Sequence, residues 1–312
     1  MSVPEFPARP RTESSRRKPG RLGVGVIGAG RVGAVLGAAL RAAEHAVVGV
    51  SAVSEASRER AENLLPGVPV LEIPQIVERA ELVLLAVPDD ALPDLVSGLA
   101  TVGAWQPGQL VAHTSGRFGT TVLEPARKLG AIPLALHPAM TFTGMSLDLT
   151  RLPDSMFGVT APPAVLPVAQ ALVVEMGAEP VVIEEEDRVL YHAALAHASN
   201  HLVTLAAQST QLLGSIGVER PDRLLGPLMR ASLENALAAG EGALTGPVAR
   251  GDAGTVAAHA GALADAPEDI HDAYTRLAGV TARRAVQRGV LTPEQARAIL
   301  DALTASEQEG SE

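Results

Sequence analysis

The 312-residue chain contains no cysteine. Disulfides, cysteine-ligated zinc, iron–sulfur clusters and thiol catalysis are therefore excluded. Aromatic residues make up only 2% of the sequence against 47% hydrophobic residues overall, so the cores must be built from Ala, Val and Leu. Such cores suit helices packed closely on a sheet or on each other. Lysine is nearly absent, with Lys18 and Lys128 the only two. No apolar run is long and uninterrupted enough to span a membrane. The net charge of −10 argues against a general nucleic-acid binder. Residues 1–20 are rich in Pro, Ser and Arg and lack the apolar stretch of a secretory signal. They read as a disordered basic arm, and a cytoplasmic protein with no nucleic-acid or membrane partner is the default expectation. The length suits two domains.

What the chain does contain is concentrated in one run, Leu22-Gly23-Val24-Gly25-Val26-Ile27-Gly28-Ala29-Gly30-Arg31-Val32-Gly33. It reads as a buried strand, a glycine turn and the first turn of an Ala/Leu-rich helix. Gly28 permits the tight turn, Gly30 lets backbone approach a pyrophosphate, and Gly33 lets the helix pack close to the strand. The free N–H groups and positive end of the helix then face the phosphates. Gly28, Ala29, Gly30, Arg31, Val32 and Gly33 are the expected dinucleotide contacts, joined by Ala86, Val87 and Pro88, where a later strand stops in a turn able to lie over the cofactor.

From Arg21 to about Glu186, apolar strands alternate with helical patterns, which predicts an α/β domain with a doubly wound, mainly parallel sheet. Strands are expected at 22–27, 46–50, 68–71, 82–87, 110–113, 132–136, 156–160 and 180–183. The acidic run 184–187 reads as a solvated junction. Beyond it no strand pattern appears, and an all-α domain over 187–305 is expected, followed by a disordered tail over 306–312. Its last helix has a clean start, with Thr292 as N-cap, Pro293 at the first helical position and Gln295 completing a capping box.

An NAD site usually places a carboxylate at the end of the second strand. Here that position falls in Ser51-Ala52-Val53-Ser54, which has none. Ser54, Ser57 and Arg58 can hydrogen-bond a 2′-phosphate instead, so NADP is favoured, with NAD the other option. Nothing suggests a site for a flavin ring.

A Rossmann domain of this length followed by an all-helical domain resembles the 6-phosphogluconate dehydrogenase-like superfamily, which includes ketopantoate reductases, pyrroline-5-carboxylate reductases and prephenate dehydrogenases. Four inner runs are similar to one branch of two-domain bacterial Rossmann-like proteins whose C-terminal domain is of unknown function. They are His113-Thr114-Ser115-Gly116, Leu136-His137-Pro138-Ala139-Met140-Thr141-Phe142, Ala198-Ser199-Asn200-His201-Leu202-Val203 and Leu244-Thr245-Gly246-Pro247-Val248-Ala249-Arg250-Gly251-Asp252. The resemblance implies a dehydrogenase or reductase acting on a small carboxylate, with a ketopantoate-like substrate.

Hydride transfer to a carbonyl needs a proton donor, polar groups for the developing alkoxide and a cation or N–H cluster for the substrate carboxylate. Related enzymes place a Lys and an Asn on the first long helix of the second domain. Asn200 matches that Asn, but this chain has no lysine there. His197, Asn200 and His201 are spaced i, i+3, i+4 and share one helix face. His197 stands about where the Lys would be and can donate a proton near neutral pH. His192 is a weaker candidate. The resemblance assigns Ser115 to the substrate carboxylate and likens His137-Pro138 to a site turn of prephenate dehydrogenases, while His113 reads equally as a cleft residue or a buried one. Arg250, flanked by glycine, is the expected carboxylate clamp, because guanidinium binds carboxylate through two parallel hydrogen bonds; Thr245 and His259 are weaker candidates. No metal site is expected, since the His197/His201 pair lacks an evident third ligand. The reading is an NADPH-dependent reductase of a small 2-oxo carboxylate, expected as a homodimer. Its rivals are an imine reductase of the pyrroline-5-carboxylate reductase type and a non-catalytic NADP(H)-binding regulator.

Overall fold

The computed structural model describes residues 21–309, and side-chain surroundings through Thr304. The expected arm over 1–20 lies outside the described residues. The chain divides into two compact units after His197, eleven residues beyond the boundary expected at 186/187, because the first turns of a long helix pack with the sheet.

In the first unit, β1 (Gly23–Ile27) leads through the glycine turn into α1 (Arg31–Ala42), followed by β2 (Ala46–Ser51), α2 (Glu55–Leu64), α3 (Ile73–Arg79), β3 (Leu82–Leu85), α4 (Leu92–Thr101), β4 (Leu110–His113), the short α5 (Glu124–Arg127), β5 (Ile132–Pro138), α6 (Leu147–Arg151), β6 (Met156–Thr160), α7 (Leu166–Glu175) and β7 (Glu179–Val182). The seven strands form one sheet in the order β2-β1-β3-β4-β5-β6-β7. All neighbours are parallel except β5 and β6.

Strands buried on both faces read as continuous apolar runs, and β3 shows the consequence. Leu82 and Leu84 pack with Leu36 and Leu40 of α1 and Leu172 of α7 on one face. Val83 and Leu85 pack with Val77 of α3, Val96 and Leu99 of α4 and Trp105 on the other. This is the doubly wound α/β arrangement. Because β1 lies between β2 and β3, the winding reverses there, and open sheets of this kind bind ligands beyond the strand carboxyl ends at that point.

Three expectations change. The segment expected as a strand at 68–71 contributes only a parallel bridge between Val50 and Val70. Pro69 cannot donate to a ladder, and the segment keeps just two backbone bonds to Val50. The strand expected to end at Leu136 runs on through Pro138, because antiparallel β6 pairs His137 with Gly158 and Pro138 with Phe157. The short helix α6 had no sequence signal.

The second unit contains most of α8 (Arg188–Ser215), then α9 (Pro221–Ala239), α10 (Pro247–Arg250), α11 (Ala253–Ala262), α12 (Glu268–Gln287) and α13 (Pro293–Glu309). No strand occurs in it among the described residues. Its core joins Val248 of α10, Val256 of α11, Ala278 and Ala282 of α12, and Ala296, Ile299 and Leu303 of α13. The Gln208 amide of α8 donates to the Asp269 carbonyl and carboxylate at 3.1 and 3.0 Å. Helix α13 extends to Glu309, into the stretch expected as a disordered tail; residues 310–312 lie outside the described residues.

The capping box at α13 is formed in both directions, with Thr292 N–H donating to Gln295 Oε1 at 2.9 Å and Gln295 N–H to Thr292 Oγ1 at 3.2 Å. Thr292→Ala removes one half of it. Equilibrium urea unfolding of the second unit's signal is expected to show a loss of about 1 kcal/mol, and an unchanged midpoint would contradict this account of how α13 starts.

Candidate functional site

The glycine turn is built as its spacing requires. Gly28 has φ +97°, and a Cβ there would stand 2.5 Å from the Ala86 carbonyl oxygen. A Cβ on Gly33 would collide with the Gly28 carbonyl and approach the Ala86 Cβ to 2.8 Å. Gly30, at the N-cap of α1, meets nothing within 4 Å, and no side chain caps the helix. Uncapped first-turn amides beside open space are what a diphosphate needs. The turn is held from behind, with Gly28 N–H donating to Ser51 Oγ at 2.9 Å and Ala29 N–H to the Ser51 carbonyl at 2.8 Å.

Two arginines flank this turn. Arg31 is exposed at the start of α1. Arg60, which the sequence had not singled out, donates from Nη1 to the Ala29 carbonyl at 3.3 Å. Both lie against Gly144 (φ +80°), where a Cβ would meet Arg60 Cδ at 2.8 Å and Arg31 Cγ at 3.1 Å. That loop is fixed by fully buried Asp148, which accepts from Thr143 N–H at 2.8 Å, Gly144 N–H at 2.7 Å and Thr143 Oγ1 at 2.9 Å. Beside the end of β2 lies a cavity of about 810 Å³ lined by Ser51, Ala52, Val53, Arg58 and Val70 among others. Its size suits a nucleoside. Ser54 and Arg58 are both exposed, but Ser54 Oγ also accepts from Ser57 N–H at 3.2 Å as the N-cap of α2, and Arg58 Nε reaches the Ala52 carbonyl at 3.5 Å. The glycine turn, Ala86, Val87 and Pro88 all lie at the carboxyl edge of β1 and β3.

A second cluster forms at the same edge, where β4 and β5 end. His113 is buried and structural. Its Nδ1 accepts from Ser115 N–H at 3.2 Å and its Nε2 donates to the Gly119 carbonyl at 2.8 Å. Burial lowers its pKa to about 4. Ser115 is buried, and its Oγ accepts from Phe118 N–H at 3.3 Å. Next to it, a Cβ on Gly116 would stand 2.6 Å from His192 Cδ2 and 2.9 Å from His137 Nε2, so the missing side chain makes room for two imidazoles. His137 Nδ1 shares a 2.9 Å hydrogen bond with the Tyr191 hydroxyl. The His137 ring stands edge-on to Tyr191 and His192, with centroids at 5.5 and 5.7 Å. Burial, followed by the nearby His192 and Arg188, lowers His137 to about 4, so it is neutral at pH 7. Burial raises the Tyr191 pKa, which keeps its hydroxyl protonated.

The root of α8 holds this cluster. Glu185, in the run read as a solvated junction, instead accepts from Thr120 N–H at 2.7 Å, Thr120 Oγ1 at 3.1 Å and Thr121 N–H at 3.0 Å. Arg188 is buried against β5 and β6. Neither residue, nor Tyr191, had been expected in the site. The available signal was spacing: Arg188, Tyr191 and His192 stand at i, i+3 and i+4, about one helical turn.

The remaining expected residues are distributed otherwise. His197, Asn200 and His201 are exposed on α8. Asn200 is nine residues after Tyr191, two and a half helical turns, and so lies on the opposite side of α8 from it. Asn200 and His201 belong to the second unit. So does Arg250, which is exposed and donates to the Thr245 carbonyl. Asp252 does not pair with it; that carboxylate caps α11 through Thr255 N–H and Oγ1 at 3.1 and 2.7 Å. His259 shares a 2.9 Å hydrogen bond with Tyr274. Among the described residues no group of three or more His, Asp or Glu is placed to hold a metal ion, and no helix is long and apolar enough to cross a membrane.

Comparison with known proteins agrees with this architecture. Residues 8–138 match the Rossmann-like domain, and residues 155–281 match a domain of unknown function, DUF2520. The chain is therefore a two-domain protein that joins a Rossmann-like domain to a DUF2520 domain. None of the curated proteins compared with it matches. Among solved structures it is similar to Bacteroides fragilis BF3122, provisionally called an NADP oxidoreductase (TM-score 0.72, 21% identity, covering 85% of this chain and 99% of that one). It is similar to Thermotoga maritima TM1727 (0.62, 23%, 85% and 99%) and to an imine reductase from a Pseudomonas species (0.56, 17%, 93% and 95%). At these identities the likeness is one of fold.

The two depressed histidines make stability depend on pH. In the unfolded chain they take up protons near their ordinary 6.5; in the folded chain they do so only near 4. The unfolded state therefore binds more protons between these values, and the stabilisation present above pH 6.5 is lost as pH falls toward 4. Urea midpoints measured across that window are expected to fall with pH, less steeply in His137→Asn. Equal slopes for the variant and the parent would contradict the assignment of a neutral His137.

Proposed function

We propose that the chain is an NADPH-dependent reductase acting on a polar double bond, C=O or C=N, in a small carboxylate. The observation that carries this reading is the pairing, on one carboxyl edge of one sheet, of an open, uncapped α1 terminus at Gly30 with the His137–Tyr191 pair. The fold shared with a protein provisionally called an NADP oxidoreductase and with an imine reductase supports it. NADPH, when bound, supplies a hydride from its nicotinamide ring. The Gly28–Gly33 amides would hold its diphosphate. Ser54 and Arg58, with Arg31 and Arg60 nearby, would meet a 2′-phosphate, and Ala86, Val87 and Pro88 would border the ring-side half of the site.

The chain's own contribution to the chemistry is proton and charge control. Tyr191 keeps a transferable proton, and its hydrogen bond to neutral His137 gives it a path for replacement. Ser115, beside His137 and Tyr191 at the same edge, is a proposed substrate contact. A ketopantoate-like 2-oxo acid is the first substrate reading. A cyclic imine is the second, favoured by a specific feature: α8 carries no lysine, and a protonated imine needs less help from an external acid than a ketone does. The expected setting is the cytoplasm.

Calorimetry is expected to show NADPH binding at least about tenfold tighter than NADH, a difference of about 1.4 kcal/mol. NADPH consumption followed with ketopantoate and with 1-pyrroline-5-carboxylate separates the two substrates. With the better one, Tyr191→Phe should lower kcat by about 100-fold or more with little change in KM. Uptake of NADPH without turnover of either compound would favour the non-catalytic regulator.

We further propose that the protein is a homodimer. Helix α9 buries none of its residues, and Leu224 and Leu228, one turn apart on one face, are 58% and 61% exposed. Exposed apolar faces of this kind mark association surfaces. Sedimentation is expected to give a two-subunit species that Leu228→Glu converts to monomer while leaving helical circular dichroism unchanged. A monomeric parent protein would sink the proposal.

A further inference from the structure

Arg188, the first residue of α8, is 1% exposed. A buried guanidinium is tolerated when an anion or a full set of acceptors meets it. Here three bonds go to neutral oxygens: Nε donates to Thr160 Oγ1 at 2.7 Å, and Nη2 to the carbonyls of Gly158 and Ala135 at 3.0 and 3.1 Å. Nη1 is buried and has no partner among the described residues. No described carboxylate forms an ion pair with Arg188. Of the acidic residues just before it, Glu185 acts on Arg188 electrostatically but gives its hydrogen bonds to Thr120 and Thr121.

The surroundings deepen this deficit of negative charge. The first turn of a 28-residue helix presents the positive end of its dipole, where a cation is disfavoured and an anion favoured. The Tyr191 ring lies 5.8 Å from the guanidinium carbon, and its hydroxyl bonds to His137. Arg250, by contrast, is exposed and donates to a backbone carbonyl of its own loop. A solvated guanidinium of that kind gains far less from meeting a carboxylate than one already desolvated and short of an anion.

We propose that Arg188 is the anion-binding cation of this site, with Nη1 receiving the carboxylate of the substrate beside His137 and Tyr191. The identity of the anion as a substrate carboxylate rests on the reductase reading. The capture of a carboxylate at Nη1 does not. On this account Arg188 clamps β5, β6 and α8 together with three donor contacts and leaves its remaining nitrogen for the ligand, so the same side chain ties the ligand to the sheet that seats the cofactor.

The test uses the full-length protein, labelled with ¹⁵N-arginine, in guanidinium-resolved spectra at neutral pH. Acetate, inorganic phosphate and chloride are added in turn at matched ionic strength. The Arg188 resonances are identified by their loss in Arg188→Lys. Should that variant not fold, Thr160→Val, which removes the acceptor of Nε, identifies them by a selective shift. The expected result is a saturable movement of the Arg188 Nη resonances with acetate that chloride does not reproduce. A response confined to phosphate would overturn the carboxylate assignment, and a response no larger than that of chloride would overturn the site and leave Arg188 as a structural clasp. NADPH uptake measured on the same sample separates the two readings. Uptake without acetate capture removes Arg188 from the substrate site and leaves the reductase standing. Acetate capture without NADPH uptake retains the anion site and removes the reductase.

Discussion

The cofactor reading of this protein depends on how closely α1 approaches β1. Gly33 has no side chain, and the space its Cβ would fill is occupied by the Gly28 carbonyl and the Ala86 methyl group. That contact draws the helix N-terminus down to the edge of the sheet, where β1 and β3 diverge in winding. Partial charges fall off within a helical turn, so a helix displaced by the width of one methyl group would present its amides to solvent rather than to a bound phosphate. The positive φ of Gly28 and the hydrogen bonds from Ser51 serve the same geometry from behind. The cavity at the end of β2 lies next to it, with Ser51 contributing to both.

The second constraint is the way α8 is anchored. Glu185 clips the segment before α8 to the amides of Thr120 and Thr121, and Arg188 ties its first turn to both β5 and β6. These two residues carry opposite charges three positions apart, yet the hydrogen bonds of each go to the sheet side of the unit and none to the other. The result places Tyr191 and His192 over the carboxyl ends of β4 and β5, where Gly116 leaves room for them. Burial then keeps His137 neutral and Tyr191 protonated. The polar cluster is thus a product of packing, and its proton inventory follows from desolvation more than from any single partner charge.

Much of this was legible in the sequence, and the residues that were not share a cause. The glycine turn, most strands of the Rossmann-like domain and the capping box at Thr292 are local patterns, decided by neighbours within a turn or two, and they occur close to where the spacing put them. The i, i+3, i+4 relation of His197, Asn200 and His201 holds as well, since it follows from helix geometry. Spacing alone does not say which face of α8 meets the sheet. Tyr191 and Arg188 settle that through contacts to residues 28 to 54 positions away, and no local pattern encodes them. The same holds for the antiparallel β5–β6 pairing that lengthens β5, and for Glu185, whose acidic neighbours made it look like part of a solvated run. At 68–71 the failure was chemical: the apolar pattern was present, but Pro69 withheld the donor that a ladder requires.

The central claim is that a phosphorylated dinucleotide rests on the amides at the start of α1. Hydrogen exchange followed by mass spectrometry, with and without NADPH, tests this residue by residue. The account predicts slowed exchange over the segment 28–33 and at the end of β2, with α12 and α13 unchanged. Protection confined to the helical second unit, with 28–33 exchanging at its free rate, would contradict it.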